Sequence, residues 1–416
     1  MKILLSTAMM VLVLCLPLVS PAADLSGRSR TYLLYRETLD NKKLMPIYEY
    51  LDFKAENVAQ ENISLHFGGW LRYDLKSAPS GTRSESALQY GYLSYRAARA
   101  NTSVDLGRLF VYEGAATAQV DGIHARTDLV GGLSAAAFGG IPVKVELNGR
   151  SGDSVYGGRV GQATNFSRIG LSYLKEKDDH SDFRKEEGVD LWLRPFSVIE
   201  LLGTSSYNAI TREWMQHAYH LTLTPLDRFV LATDLNRIVY KDFFKASTTS
   251  VFKLQAGVID PNERMSSVGE TASYTIGKAT LSLNYTAYTY DIAGNAKAYG
   301  AQADFIGSSA GAGLGLQRMN GDTDPLQYTS YRVYASTRAG NADVTVDALA
   351  ISYDVPINSV KNAYSASLAG GYAMTPRAKV IADIEYSHNP FYDQDVRGMV
   401  QLVYKFDSAA GPKGGK

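Results

Sequence analysis

Along most of this 416-residue chain, apolar and polar side chains alternate with a period of two. The segment nearest the C-terminus shows the pattern. Gly398, Val400, Leu402, Tyr404 and Phe406 occupy every second position, with Gln401 and Lys405 among the residues between them. A period of two places the two sets on opposite faces of a β-strand. The rhythm recurs in Ile63, Leu65, Phe67, Gly69, Leu71 and Tyr73, in Ile169, Leu171 and Tyr173, and in Val189, Leu191 and Leu193. It returns in Leu281, Leu283, Tyr285 and Ala287, and over residues 219–223, 229–235, 301–305, 331–335 and 380–386. Each segment reads as a strand with one apolar face.

Turn signals separate the segments: Ala78-Pro79-Ser80-Gly81, Gly139-Gly140, Asp260-Pro261-Asn262, Ala293-Gly294-Asn295, Asn320-Gly321-Asp322, Ala339-Gly340-Asn341 and Pro376. A unit of ~17 residues for a strand with its connection predicts about 22 strands, an even number as in bacterial barrels. The densest charged run, from Lys175 to Glu187, lies between two such segments and reads as a hydrated loop.

Beyond Val19 no stretch approaches the ~20 consecutive apolar residues of a membrane helix. Alternating strands offer another way to meet lipid, because a closed barrel turns one face outward and the other toward water. The 28 tyrosines suit the interfacial girdles of such a barrel, and the 37 glycines suit its turns and crowded wall positions. A soluble sandwich or propeller also alternates, but this many strands would divide into domains or blades. Neither a linker nor a sequence repeat marks such a division. The fold class expected is therefore all-β, a transmembrane antiparallel β-barrel. Lys+Arg and Asp+Glu balance at 42 each, which argues against a general nucleic-acid binder and against an interior of one sign.

At the N-terminus, Met1-Lys2 precedes a mostly apolar run over 3–19, followed by Ser20-Pro21-Ala22-Ala23. A short basic start, an apolar core and small residues at a cleavage point make a secretion signal. The expected organisation is a signal at 1–22, a barrel at 23–406 and a Gly/Lys/Ala/Pro-rich disordered tail at 407–416. The only cysteine, Cys15, lies within the signal, after the bulky Leu14 that a lipoprotein site would not accept. The mature chain then has no disulfide, thiolate metal site or Cys-x-x-Cys-His haem attachment.

The search for chemistry finds no Gly-x-Ser-x-Gly elbow, His-Glu-x-x-His motif or phosphate loop. His217 and His220 are three apart, which in a strand points them to opposite faces. Asp178-Asp179-His180 reads as solvated loop rather than as part of a protease site, since no partner motif appears elsewhere. No catalytic residue, metal ligand or cofactor is assigned. Parity turns Arg72, Asp74, Arg168, Asp190, Arg194, Asp234, Asp304, Arg332, Asp383 and Glu385 toward the interior as pore-lining candidates. Such charges either keep a pore wet and pair across strands or bind a solute, and both readings stay open.

The terminal Tyr404-x-Phe406 resembles the C-terminal assembly signal of bacterial outer-membrane β-barrels, although that signal usually ends the chain and here Asp407 to Lys416 follow. With the secretion signal and the strand rhythm, the mature chain resembles Gram-negative outer-membrane porins. The resemblance implies the outer membrane as address, with its lipid and the barrel assembly machinery as partners. It implies a channel for passive diffusion of small hydrophilic solutes or ions. Gly107-Arg108-Leu109-Phe110-Val111-Tyr112-Glu113-Gly114, Gly188-Val189-Asp190-Leu191-Trp192-Leu193-Arg194-Pro195 and Met215-Gln216-His217-Ala218-Tyr219 resemble porin-like barrels of metal-reducing bacteria. Some of those sheathe a multihaem cytochrome, so the alternative is a structural barrel around such a partner. A third reading is a barrel enzyme. The sequence sets neither the solute nor the oligomeric state.

Overall fold

A computed structural model describes residues 24–407, apart from 38–41, 59, 77–81, 98, 100, 144–152, 243–259 and 261. The expected signal and nearly all of the expected tail lie outside the described residues. The strands run in chain order as β1 (Asp24–Glu37), β2 (Lys43–Leu44), β3 (Pro46–Glu56), β4 (Ile63–Asp74), β5 (Ser84–Ala97), β6 (Thr102–Glu113), β7 (Ala116–Asp128) and β8 (Leu133–Pro142). Then come β9 (Ser154–Ala163), β10 (Ser167–Asp178), β11 (Ser181–Phe196), β12 (Ile199–Asn208), β13 (Glu213–Leu226), β14 (Phe229–Val239), β15 (Arg264–Ile276) and β16 (Ala279–Tyr290). The last are β17 (Gly294–Ile306), β18 (Ala310–Gly321), β19 (Tyr328–Ala339), β20 (Ala342–Ile357), β21 (Val360–Thr375), β22 (Ala378–Asn389) and β23 (Tyr392–Asp407).

Each long strand pairs antiparallel with the next, and β1 pairs with β23 from Ser26↔Asp407 to Arg36↔Arg397, which closes the sheet. The two-residue β2 only extends the β1–β3 hairpin, so the wall is a barrel of 22 strands. Both described chain ends, Asp24 and Asp407, fall at one rim, called here the terminal rim. Among the described residues no helix is long and apolar enough to cross a membrane.

The parity read from sequence sets the faces. Leu281, Leu283 and Tyr285 are exposed on the outer face, as are Ile169, Leu171, Val400, Leu402 and Tyr404. Large and small side chains alternate across neighbouring strands there: Ala272 lies opposite Leu283, Leu283 opposite Ala301, and Ala301 opposite Leu316. Such rows make a smooth apolar belt for lipid. Two carboxylates interrupt it near mid-strand. Glu49 accepts hydrogen bonds from Ser29 and Thr31, each at 2.5 Å, and Glu270 accepts one from Thr233 at 2.8 Å.

Two expectations are corrected. Gly139-Gly140 is not a turn but lies inside β8. A Cβ on Gly140 would stand 2.4 Å from the carbonyl oxygen of Asp121 and 2.7 Å from the Cα of Gly122, so glycine serves close strand approach there. The charged run from Lys175 to Glu187 is not a loop either. β10 and β11 run through it to a tight turn at Asp179-His180, both with positive φ. Opposite charges explain the extension, since Lys175 pairs with Asp182, and Arg184 with Glu186.

Candidate functional site

A barrel of this strand number encloses more space than wall side chains can fill, so something else must set the width of the path. The β6–β7 hairpin enters that space. β5 and β6 pair from Ala97↔Thr102 to Gly91↔Arg108 and then part, while β6 and β7 stay paired up to Glu113↔Ala116. The parting point is a glycine row. Gly107 is registered with Gly122, and Gly122 with Gly140. Gly107 has φ 137°, and a Cβ on it would stand 2.3 Å from the carbonyl oxygen of Gly91. Three adjacent inner-face positions without side chains let the sheet crease inward.

Beyond the crease the hairpin lies within the lumen, against the inner wall of β8 to β11. Its underside contributes Leu109, Val111, Ala116 and Val120, which pack on Phe138, Val155 and Leu174 of the wall, all buried. Burying a valine or leucine side chain contributes about 1.5–3 kcal/mol, so this small core holds the hairpin down. The tip is seated on Gly188 of β11, where a Cβ would stand 2.2 Å from the Cβ of Ala115. The Ala115 backbone N–H donates to Ser172 Oγ at 3.2 Å, and Arg184 Nη1 donates to the Thr117 carbonyl at 2.9 Å.

Charges frame the tip. Arg159 on β9 lies across Gly170 and donates to both oxygens of Asp190, at 2.9 and 2.5 Å, just below Gly114. His124 on β7 faces Glu113 Oε1 through Nε2 at 3.0 Å and Asp105 Oδ2 through Nδ1 at 3.3 Å. On the hairpin's other side, Arg108 grips Asp121 through two bonds of 2.6 and 2.8 Å and donates to the Leu88 carbonyl at 3.1 Å. Gln119 Nε2 donates to the Gln89 carbonyl at 2.5 Å. These bonds tie the hairpin to β5 where the backbone ladder has ended. The upper surface carries Phe110 and Tyr112, stacked at 6.3 Å, with Tyr112 71 % exposed. They share the parity of outward-facing Leu106, but the crease turns them into the barrel interior.

Nine of the ten charged residues singled out from sequence have registered positions on the inner face. Arg72 reaches Asp74 at 3.3 Å and Glu85 at 3.1 Å. Asp190 is the partner of Arg159, and Asp234 faces His220 Nδ1 at 2.8 Å. Arg168 lies over the Trp192 ring at 5.3 Å. Asp304 accepts from the Tyr334 hydroxyl at 2.6 Å, and Arg332 lies over that same ring at 5.6 Å while pairing with Asp347. Asp383 and Glu385 sit on β22, Glu385 opposite Arg397. Arg194 lies past the last continuous pair of β11, its N–H bonded to the Phe166 carbonyl. The structure thus joins Arg72 to Asp74 directly and Asp304 to Arg332 through one tyrosine, and leaves the others spread around the wall. Asp190 alone of the ten touches the hairpin.

The residues around the hairpin that sequence reasoning passed over are Asp105, Glu113, His124, Arg159 and Arg184. One signal for the hairpin was present. Leu109-Phe110-Val111-Tyr112 is apolar on both faces, which a strand between lipid and water does not need.

No protein-family model matches the chain, and no curated protein matches it. Among solved structures, Acinetobacter baumannii OccAB4 is similar at 10% identity and a TM-score of 0.46, over 94% of this chain and 100% of that one. Pseudomonas aeruginosa OccK2 (OpdF) is similar at 10% identity and 0.47, over 93% and 98%. OccK8 (OprE) of the same organism is similar at 9% and 0.46, over 93% and 98%.

Proposed function

We propose that this barrel is an outer-membrane channel for passive diffusion of small hydrophilic solutes or ions. The observation that carries the reading is the latched β6–β7 hairpin inside a closed barrel. A hairpin folded into the interior and latched to the wall is what a constricted diffusion channel requires. The nine registered inner-face charges and Arg194, with Arg159 and His124, are its pore lining, apart from Asp74, which like Glu113 is buried. Both signs occur and most are paired, so the field along the path is small and selectivity between cations and anions is weak. The cytochrome sheath is less well supported, because it needs a lumen vacated for a partner protein and the hairpin stands in that space.

The test is single-channel recording of the purified protein in a planar bilayer. Discrete, ohmic steps with weak ion selectivity are expected. A bilayer that stays silent through many insertions overturns the reading.

A further inference from the structure

The inner face of β1 to β5 carries aromatic rings on four successive register rows, in an upper group of four and a lower pair. Tyr32 and Tyr48 share one register row, Tyr50 and Trp70 the next, then Tyr90, then Tyr92. Each row lies two residues nearer the terminal rim than the one before. Three such steps cover about 20 Å along the strands, most of the height of a barrel's apolar band. Ring centroids are 5.5 Å apart for Tyr32 and Tyr50, 6.1 Å for Tyr48 and Tyr50, 6.2 Å for Tyr48 and Trp70, and 6.1 Å for Tyr90 and Tyr92.

All six are half-buried, so each keeps part of its surface open to the lumen. Tyr90 lies across Gly68, where a Cβ would stand 2.3 Å from its Cε1 and 2.4 Å from its Cζ. At the lower end Tyr92 stacks on His66 at 4.7 Å and packs against the buried core under the hairpin, where the rings end.

The charges beside the rings come paired. Arg28 and Arg30 share Asp52, at 3.0 and 3.3 Å, and Arg72 is held by Asp74 and Glu85. The margin therefore offers hydrogen-bond donors and acceptors side by side with little net charge. That combination does not favour an anion or a cation. It suits a neutral ligand rich in hydroxyls, whose groups both donate and accept. Repetition of the rings suits a ligand built of repeated rings, since a single planar solute would use only one platform.

We propose that these rings form a binding track for linear neutral oligosaccharides, with sugar faces stacked on the aromatics and hydroxyls bonded to the flanking Arg and carboxylate groups. The assignment rests on the channel reading and narrows its solute class.

The experiment adds linear glucan hexamers, one α-linked and one β-linked, to the open channel in a planar bilayer. Brief current blocks by at least one are expected, longer for the hexamer than for the trimer of the same linkage. Combining Tyr50→Ala with Trp70→Ala should weaken the block by about tenfold or more. Tyr50→Phe keeps a ring and should keep the block, which separates lost stacking from misfolding. Tryptophan fluorescence of the detergent-solubilised protein, titrated with the same sugars, reports binding without conduction. An open channel that neither hexamer blocks, or a block unchanged in the double variant, overturns the track and leaves the channel standing. A silent bilayer with a saturable fluorescence change overturns the channel and keeps the track.

Discussion

Glu113, at the turn of the inward hairpin, meets the Nε2 of His124 at 3.0 Å, while Asp105 on the same strand holds the Nδ1 of that imidazole at 3.3 Å. A straight β6 would carry the two carboxylates far apart. Their meeting on one ring measures how far the hairpin folds back on its own base.

The His124 latch should govern how firmly the hairpin stays down. Carboxylates only accept, so the ring is the donor on both sides. His124→Ala leaves Glu113, whose side chain is 4 % exposed, buried beside a gap. Removing one partner of a buried pair typically costs about 3–5 kcal/mol. Open-channel current of His124→Ala should be larger and noisier than that of the unaltered protein. Identical current traces would show that the latch does not hold the hairpin.

The seat of the hairpin can be filled without touching any charge. In Gly188→Val the new side chain occupies the place of the Ala115 methyl, since even a Cβ would stand 2.2 Å from it. The tip must then lift. Heat-modifiable mobility on gels should persist, because the wall pairing of β11 is unaffected, while the unitary conductance rises. Conductance equal to that of the unaltered channel would mean that the tip does not limit the path.

Neighbouring residues on β16 should differ sharply in tolerance of charge. Leu283 is 64 % exposed on the outer belt, and Asn284 faces the lumen. Leu283→Arg should cost about 2–4 kcal/mol near the midplane, and Asn284→Arg much less. Urea midpoints of the two refolded variants provide the comparison. Coinciding midpoints would contradict the assignment of faces.

Glu49 gives the opposite expectation on the same belt. Its two hydroxyl donors, Ser29 and Thr31, are what make a carboxyl tolerable against lipid. Replacing the acid, Glu49→Leu, should leave the refolded barrel as stable or more so. Replacing both donors, Ser29→Ala with Thr31→Val, should destabilise it by about 1–3 kcal/mol, because the carboxyl loses its partners. Equilibrium unfolding in lipid vesicles ranks the three proteins, and a reversed order would dismiss this account of the cluster.

Alternation was enough to find the wall, because lipid on one side and water on the other impose a choice at every residue, as in Leu281, Ser282, Leu283 and Asn284. It was not enough to find the hairpin. Whether β6 bends depends on Gly107 meeting Gly122 and Gly140, a coincidence of register between strands that no single stretch displays. The contact of Ala115 with Ser172 is set by that bend. The run from Lys175 to Glu187 misled for a different reason. A hairpin rising past the lipid and a hydrated loop are equally rich in charge, and only the pairing of Lys175 with Asp182 distinguishes them. The ring rows on β1 to β5 were hidden likewise, since Tyr32, Tyr50 and Trp70 come together only across strands.

The joining of β1 to β23 has a consequence for how the molecule comes into being. The first described strand finds its second partner only in the last one. Until then the sheet has two raw edges, each a row of unmet amide and carbonyl groups open to any other chain. Without β23 that closing pair is missing and β1 keeps an open edge, so closure of the sheet waits on both ends of the described chain.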